Sequence, residues 1–451
     1  MCNDNIDALW RSFVNMEEPV AGRTRRTGKG YEMMNTVPKL KLDRSLQMYE
    51  EAKKLSPGGL MGIRRPYNFV EGEYPIFIER GYGGHIIDVD GNDYIDMLCA
   101  YGPVILGYNE PEINDAVKEQ MDKGFCFSLV QEIQNTLSQR LIDLIPSAEM
   151  VVLAKTGSDV TSIAVRIARA YNGKNKILRC GYHGWHDWCV EVHGGVPQAI
   201  LDLTVEFPYG DLDALEATLK EHGDDAACII ITPVGHPLAA PVVAPPEGYL
   251  KGVRELADKY NTVLIFDEIR TGFRVALGGA QERYGVTPDI SVFGKAMANG
   301  YPISACVGKS EFMKVLEKQA FVSSTFFPNS LEMAASMKCI DILQRENVME
   351  SIWERGTKFM DDMTRLVEES DVPASTSGIP PMPFITFDKA DDQYKERRTF
   401  FYTETIRRGL FIQPYHHGYI CHRHTDEDLK NALGAIEEAL KATHQAYPLK
   451  K

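Results

Sequence analysis

No C-x-x-C pair occurs anywhere in the 451 residues, and the nine cysteines (Cys2, Cys99, Cys126, Cys180, Cys189, Cys228, Cys306, Cys339, Cys421) are scattered and odd in number. That pattern gives neither a disulfide frame nor a zinc site and fits reduced thiols, so no metal is expected. No apolar run approaches the ~20 residues that cross a bilayer. The start, MCNDNIDALWRSF, has no basic stretch followed by an apolar one, so no secretory signal and a cytoplasmic location are expected. Basic charge is in deficit: Lys+Arg 49 against Asp+Glu 63, a net charge of −14. This argues against a general nucleic-acid or anionic-membrane binder, while a local basic patch could still hold an anionic small molecule. Internal repeats and low-complexity segments are also absent, which leaves an ordinary globular chain.

Two or three structural units fit this length. HIIDVDGNDYIDM (85–97) alternates around Asp90-Gly91 and reads as a hairpin. From about 110 to 310, apolar runs without alternation are spaced by helical patterns. EMVVLA (149–154), KILRC (176–180), AACIIIT (226–232), TVLIF (262–266) and DISVF (289–293) read as strands. SDVTSIAVRIARAY places Val160, Ile163, Ala164, Ile167, Ala168 and Tyr171 on one helical face. The expected fold is α/β: a mostly parallel central sheet with helices on both faces, plus a smaller α+β terminal domain. The expected division is an N-terminal segment (1–105), a large domain (106–338) and a C-terminal small domain (339–451). The last helix should open at the capping-box-like TDED beginning at Thr425.

Ligands of such sheets bind beyond the carboxyl ends of the strands. There the sequence places Lys155-Thr156-Gly157-Ser158, then Gly181-Tyr182-His183-Gly184, then Asp267-Glu268, then Gly294-Lys295. Thr325 and Phe326 follow a further segment. Each alone has a structural reading: a helix cap, a packed aromatic turn, a capping pair, a solvated strand end. Together they form a site for pyridoxal 5′-phosphate. A lysine amine makes the Schiff base, a carboxylate keeps the pyridine nitrogen protonated, an aromatic face stacks on the ring, and a helix N-terminus receives the phosphate.

The segment LIFDEIRTGFRVALGGAQERYGVTPDISVFGKAMANGYPISA (264–305) resembles the class III, fold-type I aminotransferases, in the branch that contains glutamate-1-semialdehyde aminomutase. The resemblance runs from about residue 50 to 440. It implies that Lys295 is the Schiff-base lysine and Asp267 the partner of the pyridine nitrogen. Ile269 and Tyr182 would pack on opposite faces of the ring, with His183 beside them. Gly157 and Ser158 would hold the phosphate, and Thr325 would reach the phosphate of a neighbouring subunit, which implies a homodimer with shared active sites. Two departures stand out: K-T-G-S-D-V (155–160) for the usual N-S-G-T-E-A, and T-F-F-P-N-S-L (325–331) for T-x-x-G-N-P-L.

SPGGLMGIRR (56–65) is similar to a mutase segment whose arginine grips a substrate carboxylate, which assigns substrate binding to Arg65. QPYHHGYICHRHT (413–425) carries His416 and His417 where the mutase has an acidic residue, and His416 is a second substrate-side candidate. ANGYP (298–302) also differs from the mutase. The resemblance therefore implies a transaminase that moves an amino group from a β-amino acyl substrate, 3-aminobutanoyl-CoA foremost, to a 2-oxo acid, 2-oxoglutarate foremost. A glutamate-1-semialdehyde aminomutase and an amino-acid racemase of the same fold remain as alternatives. GRTRRTGKG (22–30) is either a solvated loop or a grip for the coenzyme's phosphates.

Overall fold

The segment Ala226–Ile231 is buried at every one of its six positions. Only a strand covered on both faces needs apolar side chains in both directions. Its neighbours share this character and assemble around it in the structure, a computed structural model that describes residues 37–235 and 242–449. The basic stretch 22–30 lies outside the described residues.

Three short strands come first: β1 (Ile78–Tyr82), β2 (His85–Asp88) and β3 (Asp93–Asp96). β2 and β3 are the expected hairpin, antiparallel with His85 opposite Ile95. Asp88 closes the turn by accepting the N–H groups of Asp90 and Asn92, each at 2.9 Å, and Gly91 takes a φ of 90°. The central sheet has seven strands: β4 (Met150–Ala154), β5 (Lys176–Cys180), β6 (Thr204–Glu206), β7 (Ala226–Ile231), β8 (Val263–Asp267), β9 (Ile290–Phe293) and β10 (Ser304–Gly308). Their order is β4-β10-β9-β8-β7-β5-β6. The run from β9 to β6 is parallel, whereas β10 is antiparallel to both β4 and β9. Beyond it, β11 (Ala374–Ile379) and β12 (Met382–Phe387) pair with each other, and β13 (Leu410–Phe411) joins β3 in parallel. Chain from both ends therefore shares one small sheet.

The helix Gly157–Asn172 shows how sequence positions the site. Thr156 and Asp159 form a reciprocal capping box at its start, and Gly173 ends it in the left-handed region. Val160, Ile163, Ala164, Ile167 and Ala168 are buried against the central sheet, each large apolar side chain contributing about 1.5–3 kcal/mol. Tyr171, expected on that face, is 44% exposed and packs its ring on Phe312 instead. The last helix, Asp426–Ala446, opens at Thr425 with the expected box: Thr425 Oγ1 accepts the Asp428 N–H at 3.1 Å and Asp428 accepts that of Thr425 at 2.8 Å. The largest apolar cluster draws on residues from Met97 to Leu440.

Candidate active site

β8 ends on Asp267, whose carboxylate is 4% exposed. A bare buried carboxylate would be costly, and this one is held on both oxygens. Oδ2 accepts the His183 Nδ1–H at 2.8 Å, and Oδ1 accepts the Ile269 N–H at 3.1 Å. His183 sits in the turn after β5, where its carbonyl accepts the Thr161 hydroxyl at 2.8 Å. Its Nε2 is buried without a partner among the described residues.

β9 delivers Lys295 beside this pair. The residue has a φ of 44°, in the left-handed region, where a side chain bearing a Cβ is strained. It opens a short 3-10 turn, Lys295–Ala298, whose other residues are buried. Burial lowers the Lys295 amine to about 7, with the nearby charges of Arg270 and Arg274 adding to that and Asp267 opposing it. An amine that is about half neutral near pH 7 can attack an aldehyde without first losing a proton far more readily than an ordinary lysine.

The turn from β4 into the helix Gly157–Asn172 closes one side. A Cβ on Gly157 would stand 2.8 Å from Ile269 Cδ1, so this glycine lets the aliphatic side chain lie over the turn. Gly184 has a φ of 122°, and a Cβ there would lie 2.4 Å from Ser158 Oγ. That oxygen accepts the Trp185 N–H at 3.3 Å. Tyr182 lies within the electrostatic reach of Asp267 and Arg270, and burial raises its phenol.

The structure thus brings together Lys295, Asp267, His183, Ile269, Tyr182, Gly157 and Ser158. His416 joins them from the far end of the chain. Its ring makes an edge contact with Tyr101 at 5.1 Å, and Nδ1 donates to the His417 carbonyl at 2.9 Å. Burial, then Arg270, push it down to about 3, with Lys295 acting in the same direction, so it is a neutral imidazole. Two expected residues stand apart. Arg65 turns its guanidinium back on its own loop, donating to the Leu60 carbonyl at 3.0 Å and the Pro57 carbonyl at 3.5 Å. Thr325 is exposed.

Glu268, paired with Asp267 in the sequence reading, faces the other way. It accepts the N–H groups of Ala280 at 2.8 Å and Gln281 at 2.9 Å, and the Thr271 hydroxyl. It clamps the next short helix, and burial raises it to about 7. Sequence reasoning missed Arg270 and Arg274, although DEIRTGFR visibly carries two cations straight after a buried strand. Arg274 donates to the Ile420 carbonyl at 3.1 Å and the Gly102 carbonyl at 2.7 Å. Cys99, Cys421 and His424 place their ligand-type atoms within 4.8 Å of one another. His424, however, accepts the Cys421 N–H at 3.0 Å on Nδ1 and bonds the Asp96 carbonyl at 3.1 Å through Nε2, so both ring nitrogens are committed.

These donors fit pyridoxal phosphate: a neutral amine, a buried carboxylate fixed by imidazole, and the unsatisfied N–H groups of a helix start. Comparison with known proteins agrees. The class-III aminotransferase family matches residues 67–440. The 3-aminobutyryl-CoA aminotransferase of Cloacimonas acidaminovorans (strain Evry) is 59% identical over 404 residues, 89% of this chain and 98% of that protein. The glutamate-1-semialdehyde 2,1-aminomutase of Persephonella marina (strain DSM 14350 / EX-H1) is 33% identical over 429 residues, covering 89% and 99%. Among solved structures, the PLP internal aldimine form of the FumI protein of Sphingopyxis sp. MTA144 superposes with a TM-score of 0.85 at 28% identity, covering 90% of this chain and 98% of that one. This chain belongs to the class III aminotransferases, enzymes of fold type I that use pyridoxal 5′-phosphate.

Proposed function

We propose that the chain is a transaminase that takes the amino group of a 3-aminoacyl-CoA thioester, 3-aminobutyryl-CoA foremost, and passes it to a 2-oxo acid, 2-oxoglutarate foremost. The observation that carries this is the 59% identity to a relative of that name across 98% of its length, against 33% for the mutase.

When bound, the cofactor supplies an aldehyde and an electron-withdrawing ring. Lys295 Nζ would hold it at rest and, once released, would take the proton from the amine-bearing carbon of the substrate. Asp267 keeps a proton on the pyridine nitrogen, and His183 fixes the orientation of Asp267. Ile269 and Tyr182 would flank the ring, and the turn at Gly157 and Ser158 would hold the phosphate. His416, neutral and packed on Tyr101, suits the uncharged thioester end of a donor better than a carboxylate. Arg65 would meet the carboxylate of the acceptor after releasing its loop carbonyls.

A homodimer with shared sites belongs to this reading. Thr325 and the neighbouring Phe326, 58% exposed, sit on a loop tied by the Ser330 N–H to the Phe125 carbonyl at 3.1 Å. The adjoining stretch exposes Phe127, Leu129 and Val130. Apolar side chains gathered on two touching loops are what a second copy would cover.

The test is a half-reaction. Holoprotein is mixed with 3-aminobutyryl-CoA and no acceptor. One 3-oxo thioester per site and conversion of the cofactor to its amine form are expected, with 2-oxoglutarate restoring the starting spectrum. An isomerised amine without free oxo product would replace this reading with a mutase. Loss of optical purity without amino transfer would replace it with a racemase.

A further inference from the structure

The loop 56–65 has a role so far only through Arg65. Its outer side is apolar and open: Leu55 is 86% exposed, Met61 77% and Ile63 49%. Large apolar side chains set singly on a surface are ordinary, but these stand together on backbone that is held in shape. Gly58, Gly59 and Gly62 take φ of 71°, 77° and 58°, and a Cβ on Gly59 would meet the Tyr49 ring at 2.8 Å. The Ser56 hydroxyl donates to the Gly59 carbonyl at 2.9 Å, and Arg65 ties the Leu60 and Pro57 carbonyls. Arg64 is exposed beside Ile63, and among the described residues no carboxylate pairs with it and no acceptor holds its side chain. Lys53, in the helix before the loop, is by contrast matched by Glu50 at 2.6 Å.

The same loop also reaches the site. The Ile63 carbonyl accepts the Tyr101 hydroxyl at 2.9 Å, and the Tyr101 ring edges His416 at 5.1 Å. Burial raises the Tyr101 phenol while the Arg64 charge draws it down, so the guanidinium stands within electrostatic reach of that ring. His416 in turn feels the Lys295 charge. The exposed row from Met61 to Arg64 is therefore a lip joined to the site through Tyr101 and His416. Resting on the transaminase reading, which supplies the thioester donor, we propose that this lip docks the coenzyme A arm of the donor, with Met61 and Ile63 against the pantetheine chain and Arg64 on a phosphate beyond it. A donor whose acyl end lies between His416 and Lys295 sends its arm out past the wall that Tyr101 and this loop form. That arm joins a chain rich in methyl and methylene groups to phosphates, and the lip joins exposed apolar side chains to a cation that no carboxylate neutralises. In a chain of net charge −14 a polyphosphate meets general repulsion, so a discrete cation beside the cleft has a large local effect. The 2-oxo acid has no such arm.

Wild-type, R64Q and M61S/I63S holoenzymes are compared on two donors: 3-aminobutyryl-CoA, and 3-aminobutyryl-pantetheine, which keeps the chain and lacks the phosphates. Acetyl-CoA, which has no amine to react, is titrated by calorimetry as the binding probe. R64Q should lower the preference for the CoA thioester over the pantetheine thioester, read as kcat/KM, by roughly 5- to 20-fold. It should weaken acetyl-CoA to a similar extent and flatten the dependence of the donor KM on salt. M61S/I63S should raise the KM for both thioesters more than that for 2-oxoglutarate. K54Q, which removes an exposed lysine at the end of the preceding helix, should keep the wild-type preference. A wild-type preference in R64Q overturns the proposal, and so does an equal loss in K54Q, which would make the attraction a property of the general field. Sedimentation covers the other occupant: if R64Q or M61S/I63S falls to a smaller species than wild type, the lip belongs to a second copy of the chain and the proposal is overturned. Failure of the transaminase reading is seen separately, as the absence of oxo product from the wild-type enzyme on either thioester.

Discussion

Replacing Lys295 by methionine tests the electrostatic core of the site without any cofactor. The amine lies at about 7 against an ordinary 10.5. At about 1.4 kcal/mol per tenfold change, that difference corresponds to at most roughly 5 kcal/mol. Lys295 keeps some exposure to the cleft, so solvent screening brings the expectation to about 2–4 kcal/mol. The sign follows from proton counting. Above 10.5 the amine is neutral in both folded and unfolded chains, and below about 7 it is charged in both. Between these values only the unfolded chain holds the proton, so the folded state loses stability as pH falls, by up to about 1.4 kcal/mol per pH unit. Methionine binds no proton and fills a similar volume. Urea denaturation of the cofactor-free proteins from pH 6 to 9.5 should therefore show K295M gaining on wild type as pH drops, with the gap constant below about pH 7. Repacking adds only a pH-independent offset. Parallel stability curves across this range would refute the depressed amine and the neutral-nucleophile argument with it.

Gly184→Ala should be the most damaging small substitution, since a Cβ would meet Ser158 Oγ at 2.4 Å and its backbone Cα at 3.2 Å while φ stands at 122°. A loss of at least ~3 kcal/mol in thermal or urea unfolding, together with weaker cofactor retention, is expected. His183→Ala removes the donor 2.8 Å from Asp267 and should lower kcat by about 10- to 100-fold, with a stability loss of about 1–3 kcal/mol; an unchanged kcat would show that Asp267 needs no orienting partner. Glu268→Ala strands the Ala280 and Gln281 N–H groups and should cost about 2–4 kcal/mol by urea denaturation, while Glu268→Gln, which keeps an acceptor, should cost less.

Five strands of the central sheet were legible because burial on both faces forces unbroken apolar runs, and the hairpin and the capping box at Thr425 because their turn chemistry is local. β6, only three residues long, and β10 were not recognised. ISACVG is short and rich in small residues, and nothing local signals that it runs antiparallel between β4 and β9. Lys295, Asp267 and His183 come together as expected because strand ends gather in space even when they lie far apart in sequence. Asp267-Glu268 was read as either a capping pair or a site, and the capping reading suits Glu268, which accepts the Ala280 and Gln281 N–H groups. Successive residues at a strand end point to opposite sides, and Glu268 bonds the helix behind. Arg65 was expected to face substrate, but its guanidinium bonds the Leu60 and Pro57 carbonyls, and side-chain direction within a loop depends on local carbonyls that no pattern encodes.

The wall opposite β8 explains why two distant stretches behave as one. Cys99, Ala100 and Tyr101 are all in the left-handed region, with φ of 47°, 54° and 69°. Non-glycine residues there cost about 1–2 kcal/mol each, so the turn persists only if its surroundings fix it. Asp96 does part of this, accepting the N–H groups of Leu98 at 2.8 Å and Cys99 at 3.2 Å. Gly102, which ends the turn, sits so close to Tyr419 that a Cβ would meet the ring at 2.7 Å. Arg274 then bridges Gly102 to Ile420, tying the β8 segment to both. The turn points Tyr101 so that its ring edges His416 and its hydroxyl donates to the Ile63 carbonyl at 2.9 Å. One strained turn thereby fixes the loop that carries Arg65 and the loop that carries His416 against the same frame that presents Arg270 and Lys295. The acidity of the whole chain is no obstacle to anionic substrates, because the charge that matters is set by this frame and not by the surface.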